Sequence, residues 1–411
     1  MDMERAPLWA KHKETVASRR SDNIDEKILL SAFFLFCVKY TFDSSEILKH
    51  NEIVDLVLTN STIALSIIKI VCQRYSLLRL FLTVTAALVI GVSCLFGGNY
   101  LFLNGFLFIL AMQDVEFEKI IRLSFWFKTV SITIHVLWYI VLYLVNPSAI
   151  SFVYRVSGVP RHYFLIGHAN MFMAFLIWAC FEYIYLHYDR LKASHMATIW
   201  IVNLIFYAFT DSNTGVVVLA AGTVLIALDK LGRGFFDKAL TFLAKYTYLI
   251  CAGVCSFLVI IYTQLSQAQK IIWQAIDASL TGRLWFGAYA YDLYGITFMG
   301  RKMNTPEKVF WGGRWLDGFA YFDNYYLGNL LGFGIIHLVL TAIAFIVIGN
   351  SLENKEKIML IAFSFYAIME AYVSNVFICF VLLIIGKYLY KIKRPAKAPE
   401  MNAPLYEGGG N

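Results

Sequence analysis

The sequence predicts an all-α integral membrane protein, and three observations lead to this class. Hydrophobic residues make up 59% of the 411 residues and charged residues 15%, whereas ordinary soluble proteins have about 45–50% and about 25%. The mean hydropathy is +0.63. The apolar residues also form long runs, and a helix of about 20 such residues crosses a hydrocarbon core of about 30 Å.

Twelve apolar runs predict twelve membrane-spanning helices within a transmembrane domain of residues 28–391. The polar residues 1–27 lack the short apolar core and cleavage site of a signal peptide, so we expect a cytoplasmic N-terminal segment. Residues 392–411 are predicted to form a cytoplasmic tail. The predicted spans are 28–46, 52–72, 77–96, 99–115, 121–145, 164–186, 197–211, 214–229, 246–265, 325–348, 358–374 and 375–391.

The distribution of basic residues predicts that both termini lie in the cytosol. With twelve spans, the outward segments hold nine of the 35 Lys and Arg residues, and basic residues near span ends favour the cytoplasmic side. The net charge of +7 does not indicate a nucleic-acid partner, because the basic residues are scattered in small groups between apolar runs. The seven cysteines lie within apolar runs, which argues against a disulfide framework or a zinc site.

Two outward segments, 146–163 and 266–324, interrupt the regular alternation of spans and short loops. The second has 59 residues, of which 13 are aromatic, and is too long for a passive turn. Aromatic rings with polar groups stack on sugars or lie in the membrane interface. We therefore expect this extracytoplasmic loop to cap the bundle with short interfacial helices around 267–278 and 284–294.

Arg155 and Arg161 flank a Gly/Pro turn in the first outward segment and are candidate phosphate ligands. The planar guanidinium matches phosphate oxygens in pairs, although two such arginines also suit a loop anchored at lipid headgroups. His168 follows, either as a buried, hydrogen-bonded residue or as a catalytic one. Asn170 fits a helix cap or a packing position as well as a binding role.

The long loop contributes Arg283 and, forty residues later, Asp323. Charges next to a span are costly to bury, so a pair facing the bundle interior is a functional candidate, and the alternative is a salt bridge that ties the loop down. The polar break 210–215 between two spans is interpreted mainly as a tight turn.

Four ionisable residues lie within predicted spans. Lys128 and Glu182 are near span ends, where their charges can extend to the interface. His135 and Glu370 are expected to line a cavity. No Asp-x-Asp motif, metal-ligand spacing or Walker-type loop occurs, so the sequence indicates neither a metal-held nucleotide sugar nor ATP hydrolysis, and we expect no cofactor and no metal.

In order along the chain, these motifs resemble the Wzy-type polysaccharide polymerases of the O-antigen ligase/polymerase superfamily. The resemblance covers about residues 150–380. It rests on Arg161 with Gly167-His168-Ala169-Asn170, the Ser/Thr-rich turn 210–215, Thr281-Gly282-Arg283, Asp323-Asn324-Tyr325, and Glu370 with Asn375. Ligases of the superfamily commonly have His where Asp323 stands, which favours a polymerase.

The resemblance implies a GT-C-like glycosyltransferase of the bacterial plasma membrane, with its active site outside the cytoplasm. Such an enzyme joins oligosaccharide repeat units carried on undecaprenyl pyrophosphate into a growing polysaccharide, without metal or cofactor. The implied partners are these lipid-linked glycans, membrane lipid, and a chain-length regulator and flippase of the same pathway. The implied catalytic residues are Arg161, His168, Arg283 and Asp323, and the implied substrate-binding residues are Arg155, Asn170, Trp285, Tyr289, Asn324, Tyr325 and Glu370.

Two alternatives stay open at this point. One is an O-antigen ligase-like glycan transferase. The other is a flippase or transporter for lipid-linked oligosaccharides, which would also have about twelve spans but is expected to show internal repeats. We find no self-similarity between residues 28–200 and 200–391. Within the polymerase interpretation, Asp323 is the preferred base for the acceptor hydroxyl and His168 is the competitor.

Overall fold

The computed structural model shows an all-α membrane protein with two small antiparallel hairpins. It describes residues 8–48, 51–97, 101–150, 152–154, 158–232, 234–280, 282–303, 308–311, 314–317 and 323–389. Within these ranges the helices are α1 (Leu8–Ser44), α2 (Glu52–Val71), α3 (Leu77–Gly97), α4 (Leu101–Ala111), α5 (Phe117–Val145), α6 (Ala169–Leu186), α7 (Ala193–Thr210), α8 (Asn213–Gly232), α9 (Asp237–Gln264), α10 (Gln267–Ser279), α11 (Arg283–Tyr294), α12 (Tyr325–Gly332), α13 (Ile335–Ile348), α14 (Asn354–Met369) and α15 (Leu383–Leu389).

Seven helices in the described part of the chain are long and apolar enough to cross a membrane, namely α2, most of α3, and α5 to α9. Two shorter apolar segments, Ile335–Ile348 and Phe380–Leu389, follow them. Each of the twelve predicted spans contains a helix, but the count of twelve crossings stays a prediction. The outer faces of α2, α3 and α7 expose many large apolar side chains. A surface of this kind is stable against lipid and not against water.

The predicted span 325–348 is two helices instead of one. Gly334 separates α12 from α13 with a φ of +86°, which favours glycine. A Cβ at Gly334 would come within 2.4 Å of backbone atoms of Phe298 and Gly300. The middle of the long loop therefore packs directly on this break, and the N–H of Ile335 donates to the carbonyl of Thr297 at 3.0 Å.

The long loop folds as predicted in its first half. Helices α10 and α11 confirm the two short helices expected around 267–278 and 284–294. The sequence analysis missed a hairpin of β3 (Lys308–Trp311) and β4 (Arg314–Asp317), in which Trp311 pairs with Arg314. The dipeptide Gly312-Gly313 between two aromatic-rich runs is the hairpin signal that would have found it.

Lys128 and Glu182 correct the expectation that their charges extend to the membrane interface. Both side chains are 0% exposed and form a salt bridge of 2.6 Å between α5 and α6. Lys128 also donates to the carbonyl of Ile378 at 2.8 Å, in the non-helical stretch before α15. Buried charges are tolerated when they are paired and hydrogen-bonded. The pair connects α5, α6 and the stretch before α15.

The bundle has two polar ends. At one end, which we call the Glu356 end, Glu26 of α1 bonds Lys119 of α5, and Lys387 of α15 bonds Glu356 of α14. At the other, the Glu370 end, the segment after α1 bridges to residues just before α6 through Ser45 and Ile166. Helices α1, α5 and α14 therefore run in the same direction, and α14 has a buried glutamate at each of its ends.

Candidate active site

Glu370 lies at the centre of a polar cluster where α14 ends. The backbone leaves the helix at this residue in an extended conformation, and the side chain is 0% exposed. Its Oε1 accepts from Asn170 Nδ2 at 3.0 Å and from Thr214 Oγ1 at 3.4 Å, and Arg283 Nη2 lies 3.5 Å away. One carboxylate oxygen thus joins the starts of α6, α8 and α11 to the end of α14.

Arg283 is the first residue of α11, and its side chain is directed at the end of α14. Gly282 precedes it with a φ of +81°, so the chain turns sharply into the helix. Arg283 Nη2 donates to the carbonyl of Met369 at 2.7 Å and lies 3.2 Å from Asp323 Oδ2. The last carbonyls of a helix lack intrahelical partners, and Arg283 supplies a charged donor to one of them.

Arg161 binds the end of α7 in the way that Arg283 binds the end of α14. It lies in β2 (Pro160–Arg161), which pairs with β1 (Val153–Tyr154). Its Nε donates to the carbonyl of Thr210 at 2.7 Å, and its Nη2 donates to Asn170 Oδ1. The next backbone N–H, of His162, donates to the carbonyl of Phe209 at 2.9 Å. The strand is therefore held against the terminal carbonyls of α7.

Asn170 connects the two arginine sites. It accepts from Arg161 through Oδ1 and donates to Glu370 through Nδ2, while Glu370 faces Arg283. We call Arg161, Asn170, Arg283, Asp323 and Glu370 the Glu370 cluster. With both carboxylates ionised, its two positive and two negative side chains balance. An added anion can therefore bind an arginine only by replacing or adding to an existing acceptor.

Asp323 is the accessible carboxylate of the cluster. It is 25% exposed, whereas the Arg283 side chain is 10% exposed and Glu370 is enclosed. Asp323 directly precedes Asn324, whose Oδ1 accepts from the N–H of Leu327 at 3.0 Å and caps α12. The cap fixes the point at which the long loop joins the bundle, and so holds Asp323 beside Arg283.

His168 is the N-cap of α6 and is half-buried. Its Nδ1 accepts from the backbone N–H of Asn170 at 3.3 Å. Burial lowers the pKa of His168, the positive charge of Arg161 lowers it further, and Asp323 opposes both. A neutral imidazole that accepts at Nδ1 carries its proton at Nε2, so in this arrangement the Nε2 of His168 is a donor.

Three of the other predicted site residues are aromatic, and two of them are buried. Tyr289 and Tyr325 are 1% and 2% exposed, and Tyr325 packs against Phe363 with ring centroids 5.6 Å apart. The ring of Trp285 lies parallel to that of Tyr289, 6.2 Å away, and keeps part of its surface exposed. Trp285 is thus the better placed of this pair to contact a sugar. Arg155 and Thr281 lie outside the described residues.

The turn 210–215 proves to be both a turn and a contributor to the cluster. Asp211 ends α7 in the left-handed region with a φ of 47°. Thr210 and Thr214 then provide the carbonyl for Arg161 and the hydroxyl for Glu370. His135 lies apart from the cluster, buried and hydrogen-bonded to the Ser131 carbonyl at 2.7 Å and to Ser45 Oγ at 2.8 Å.

Sequence reasoning did not anticipate that both arginines bind helix-terminal carbonyls. Such contacts depend on which helix ends meet, and no local pattern in the sequence records this. Among the described residues, no three His, Cys, Asp or Glu side chains are grouped in a way that could hold a metal ion. Comparison with known proteins gave no matching family model, no matching curated protein and no matching solved structure.

Proposed function

We propose that this protein is a membrane glycosyltransferase that polymerises lipid-linked oligosaccharide repeat units. The observation that carries the proposal is the Glu370 cluster. Its members come from motifs up to about 200 residues apart in the sequence, and they form one hydrogen-bonded network at one end of the bundle. The same motifs, in the same order, underlie the resemblance to Wzy-type polymerases.

In the proposed reaction, Arg161 and Arg283 bind the pyrophosphate of the undecaprenyl-linked donor. Arg283 exchanges Asp323 for phosphate oxygens, because a diphosphate offers more paired acceptor positions than one carboxylate oxygen. The exchange releases the Asp323 carboxylate toward the exposed side of the cluster. Glu370 and the Met369 carbonyl keep the guanidinium of Arg283 in place during the exchange.

The bond between the donor sugar's anomeric carbon and the pyrophosphate oxygen breaks, and a bond to the acceptor hydroxyl oxygen forms. Asp323 takes the hydroxyl proton, and the two arginines stabilise the negative charge on the departing lipid pyrophosphate.

We propose twelve spans in a GT-C-like arrangement in the bacterial plasma membrane, with the Glu370 end outside the cytoplasm. The basic residues near the Glu356 end favour this orientation. They include Lys119, Lys355 and Lys387, which lie in or beside salt bridges there.

The direct test is incubation of the purified protein with undecaprenyl-pyrophosphate-linked repeat units and no other enzyme. A polymerase is expected to give a ladder of longer lipid-linked glycans. A transporter in liposomes would move the units across the bilayer without lengthening them, and a ligase would need a different lipid acceptor. Translocation without elongation, or elongation only with a second acceptor lipid, would overturn the proposed activity.

A further inference from the structure

A groove between α1 and α5 lies at the Glu356 end, on the outer surface of the bundle and away from the Glu370 cluster. Its volume is about 840 Å³. Three cationic side chains, Lys27, Lys119 and Arg122, line its polar end, and Leu30, Phe34 and Trp126 line the part that continues along the two helices. The groove thus changes from cationic to apolar along its length.

The start of α5 meets the middle of α1 there, which brings the charges together. Glu26 Oε1 accepts from the N–H of Glu116 at 3.1 Å, and Glu26 Oε2 accepts from Lys119 Nζ at 2.8 Å. These bonds align the polar start of α5 with the point where α1 becomes apolar. Phe34 and Phe127 then pack edge to face at 5.1 Å, one to two turns deeper.

The three cations differ in how fully they are neutralised. Lys119 lies within 3.0 Å of both Glu26 and Glu116 and is already paired. Lys27 and Arg122 are exposed, and within the described part of the chain neither has an ion pair or side-chain hydrogen bond. Two positive charges are therefore available to a ligand at the mouth of the groove.

We propose that this groove binds an anionic phospholipid, with its phosphate between Lys27 and Arg122 and an acyl chain along Phe34 and Trp126. The charge arrangement selects this occupant, because the cations lie where α5 begins and where α1 becomes apolar, and the apolar surface continues along both helices. Basic pockets between membrane helices favour anionic headgroups. Trp126 is 58% exposed, and tryptophan is enriched at the level of the headgroups.

A zwitterionic lipid fits the groove less well. Its headgroup carries a positive charge beside the phosphate, which the two cations repel. Each Lys or Arg near the surface contributes to the binding of anionic lipid, and together two are expected to give a preference of roughly thirtyfold. The proposal does not depend on the polymerase activity, since it concerns the opposite end of the bundle.

Native mass spectrometry of the full-length protein in detergent tests the proposal. Phosphatidylglycerol and phosphatidylcholine with identical acyl chains are titrated separately. The first lipid molecule to bind is expected to bind more tightly when it is phosphatidylglycerol. In the double variant Lys27→Gln/Arg122→Gln, the ratio of the two affinities is expected to fall at least tenfold. Both side chains are exposed, so folding is expected to be retained, and thermal unfolding checks this.

The double variant Arg190→Gln/Lys192→Gln is the matched control. It removes the same two charges from the exposed connection between α6 and α7, which does not line the groove. It should bind phosphatidylglycerol as the wild type does. Equal loss in both double variants would mean general charge attraction, and equal binding of the two lipids by the wild type would mean no headgroup recognition; either result overturns the proposal.

A second measurement locates the acyl chain. Phosphatidylglycerol brominated on its acyl chains quenches nearby tryptophan fluorescence, and the wild type is compared with Trp126→Phe. Most of the quenching at low lipid concentration is expected to disappear in the variant. Quenching that is unchanged by Trp126→Phe would place the lipid elsewhere and contradict the proposed orientation.

Discussion

Two carboxylates of the same helix make the most instructive comparison in this molecule. Glu356 and Glu370 lie at opposite ends of α14, about 21 Å apart along the axis, and each is 0% exposed. The oxygens of Glu356 are fully used: Oε1 accepts from Tyr185 and Lys387, and Oε2 accepts from Tyr388 and from the backbone N–H of Glu353. Nothing in this arrangement is left for a ligand.

Glu370 is held differently. Its Oε1 is shared by three donors at 3.0 to 3.5 Å, while Oε2 has no hydrogen-bond partner among the described residues. Buried polar atoms are normally satisfied, and each exception needs an explanation; Glu182 Oε2, in the salt bridge with Lys128, is another such atom. We infer that the Glu356 cluster (Tyr185, Glu353, Glu356, Lys387 and Tyr388) stabilises the bundle and that the Glu370 cluster is kept adaptable for a reaction.

The largest expected loss of activity follows from a substitution at Asp323. Asp323→Asn keeps the shape but cannot accept the hydroxyl proton, so turnover at saturating acceptor should fall about 10²–10⁴-fold. Binding of the lipid donor should be retained, because Asp323 is exchanged for phosphate in the proposed complex. Kinetics on lipid-linked repeat units, with donor binding measured in parallel, check both statements.

Asp292→Asn is the matched control for this variant. It makes the same change at an exposed position of α11 in the same loop, and it should keep wild-type turnover. His168→Ala should lose less than Asp323→Asn. Normal turnover in Asp323→Asn, together with an inactive His168→Ala that still binds donor, would exchange the roles of these two residues.

The next largest effect is expected at the arginines. Arg161→Lys and Arg283→Lys keep the charge and lose the paired donor geometry, so each should lose about 10²–10³-fold in polymerisation while still reaching the membrane. Arg301→Lys, exposed in the same loop, should be unaffected. If either cluster variant is fully active, that arginine has no part in the mechanism.

The two glutamates should also differ in how much they contribute to the stability of the fold. Glu356→Gln removes the closest carboxylate of the 9% exposed Lys387, which keeps only Glu353 at 3.6 Å and Glu118 at 4.0 Å, and it should cost about 1.5–3 kcal/mol. Glu370→Gln should lower the free energy of unfolding by only about 0.5–1.5 kcal/mol, because Arg283 keeps Asp323 and the Met369 carbonyl as partners. Thermal unfolding in detergent measures the stability of both variants. Equal destabilisation would contradict the different roles inferred for the Glu356 and Glu370 clusters.

The smallest expected effect is a pH dependence from His168. Burial lowers its pKa in the folded protein, so the unfolded chain binds the proton first as the pH falls. Stability from the neutral cap is therefore present above the unfolded pKa of about 6.5 and is lost below it. His168→Asn keeps a capping acceptor and should unfold with less dependence on pH between about 7.5 and about 5.5. Identical pH profiles would exclude this contribution.

The sequence predicted the helices well where a long apolar run is sufficient to specify one. It did not predict the break at Gly334, because the backbone of Phe298 and Gly300 that packs there comes from a distant loop. It also missed the non-helical stretch at 375–379, whose carbonyl at Ile378 is satisfied by Lys128 from α5. These features depend on tertiary contacts that residue patterns do not contain.

The site was predictable as a set of residues and not as a geometry. Charged residues beside apolar runs identified Arg161, Arg283 and Asp323, since such charges are costly without a role. The bridging position of Asn170 and the use of helix-terminal carbonyls follow only from how the ends of α6, α7 and α14 meet. For the same reason, the sequence could not separate Tyr325, which is buried, from residues that reach the exposed side of the cluster.

The central claim, that the Glu370 cluster is a pyrophosphate site and the Glu356 cluster is not, is tested most directly by ligand binding. Binding of undecaprenyl pyrophosphate to the purified protein is compared for the wild type, Arg283→Lys and Lys387→Arg, each with a conserved charge. We predict a loss of affinity greater than about tenfold for Arg283→Lys and none for Lys387→Arg. Equal affinity in all three proteins, or a loss confined to Lys387→Arg, would contradict the account.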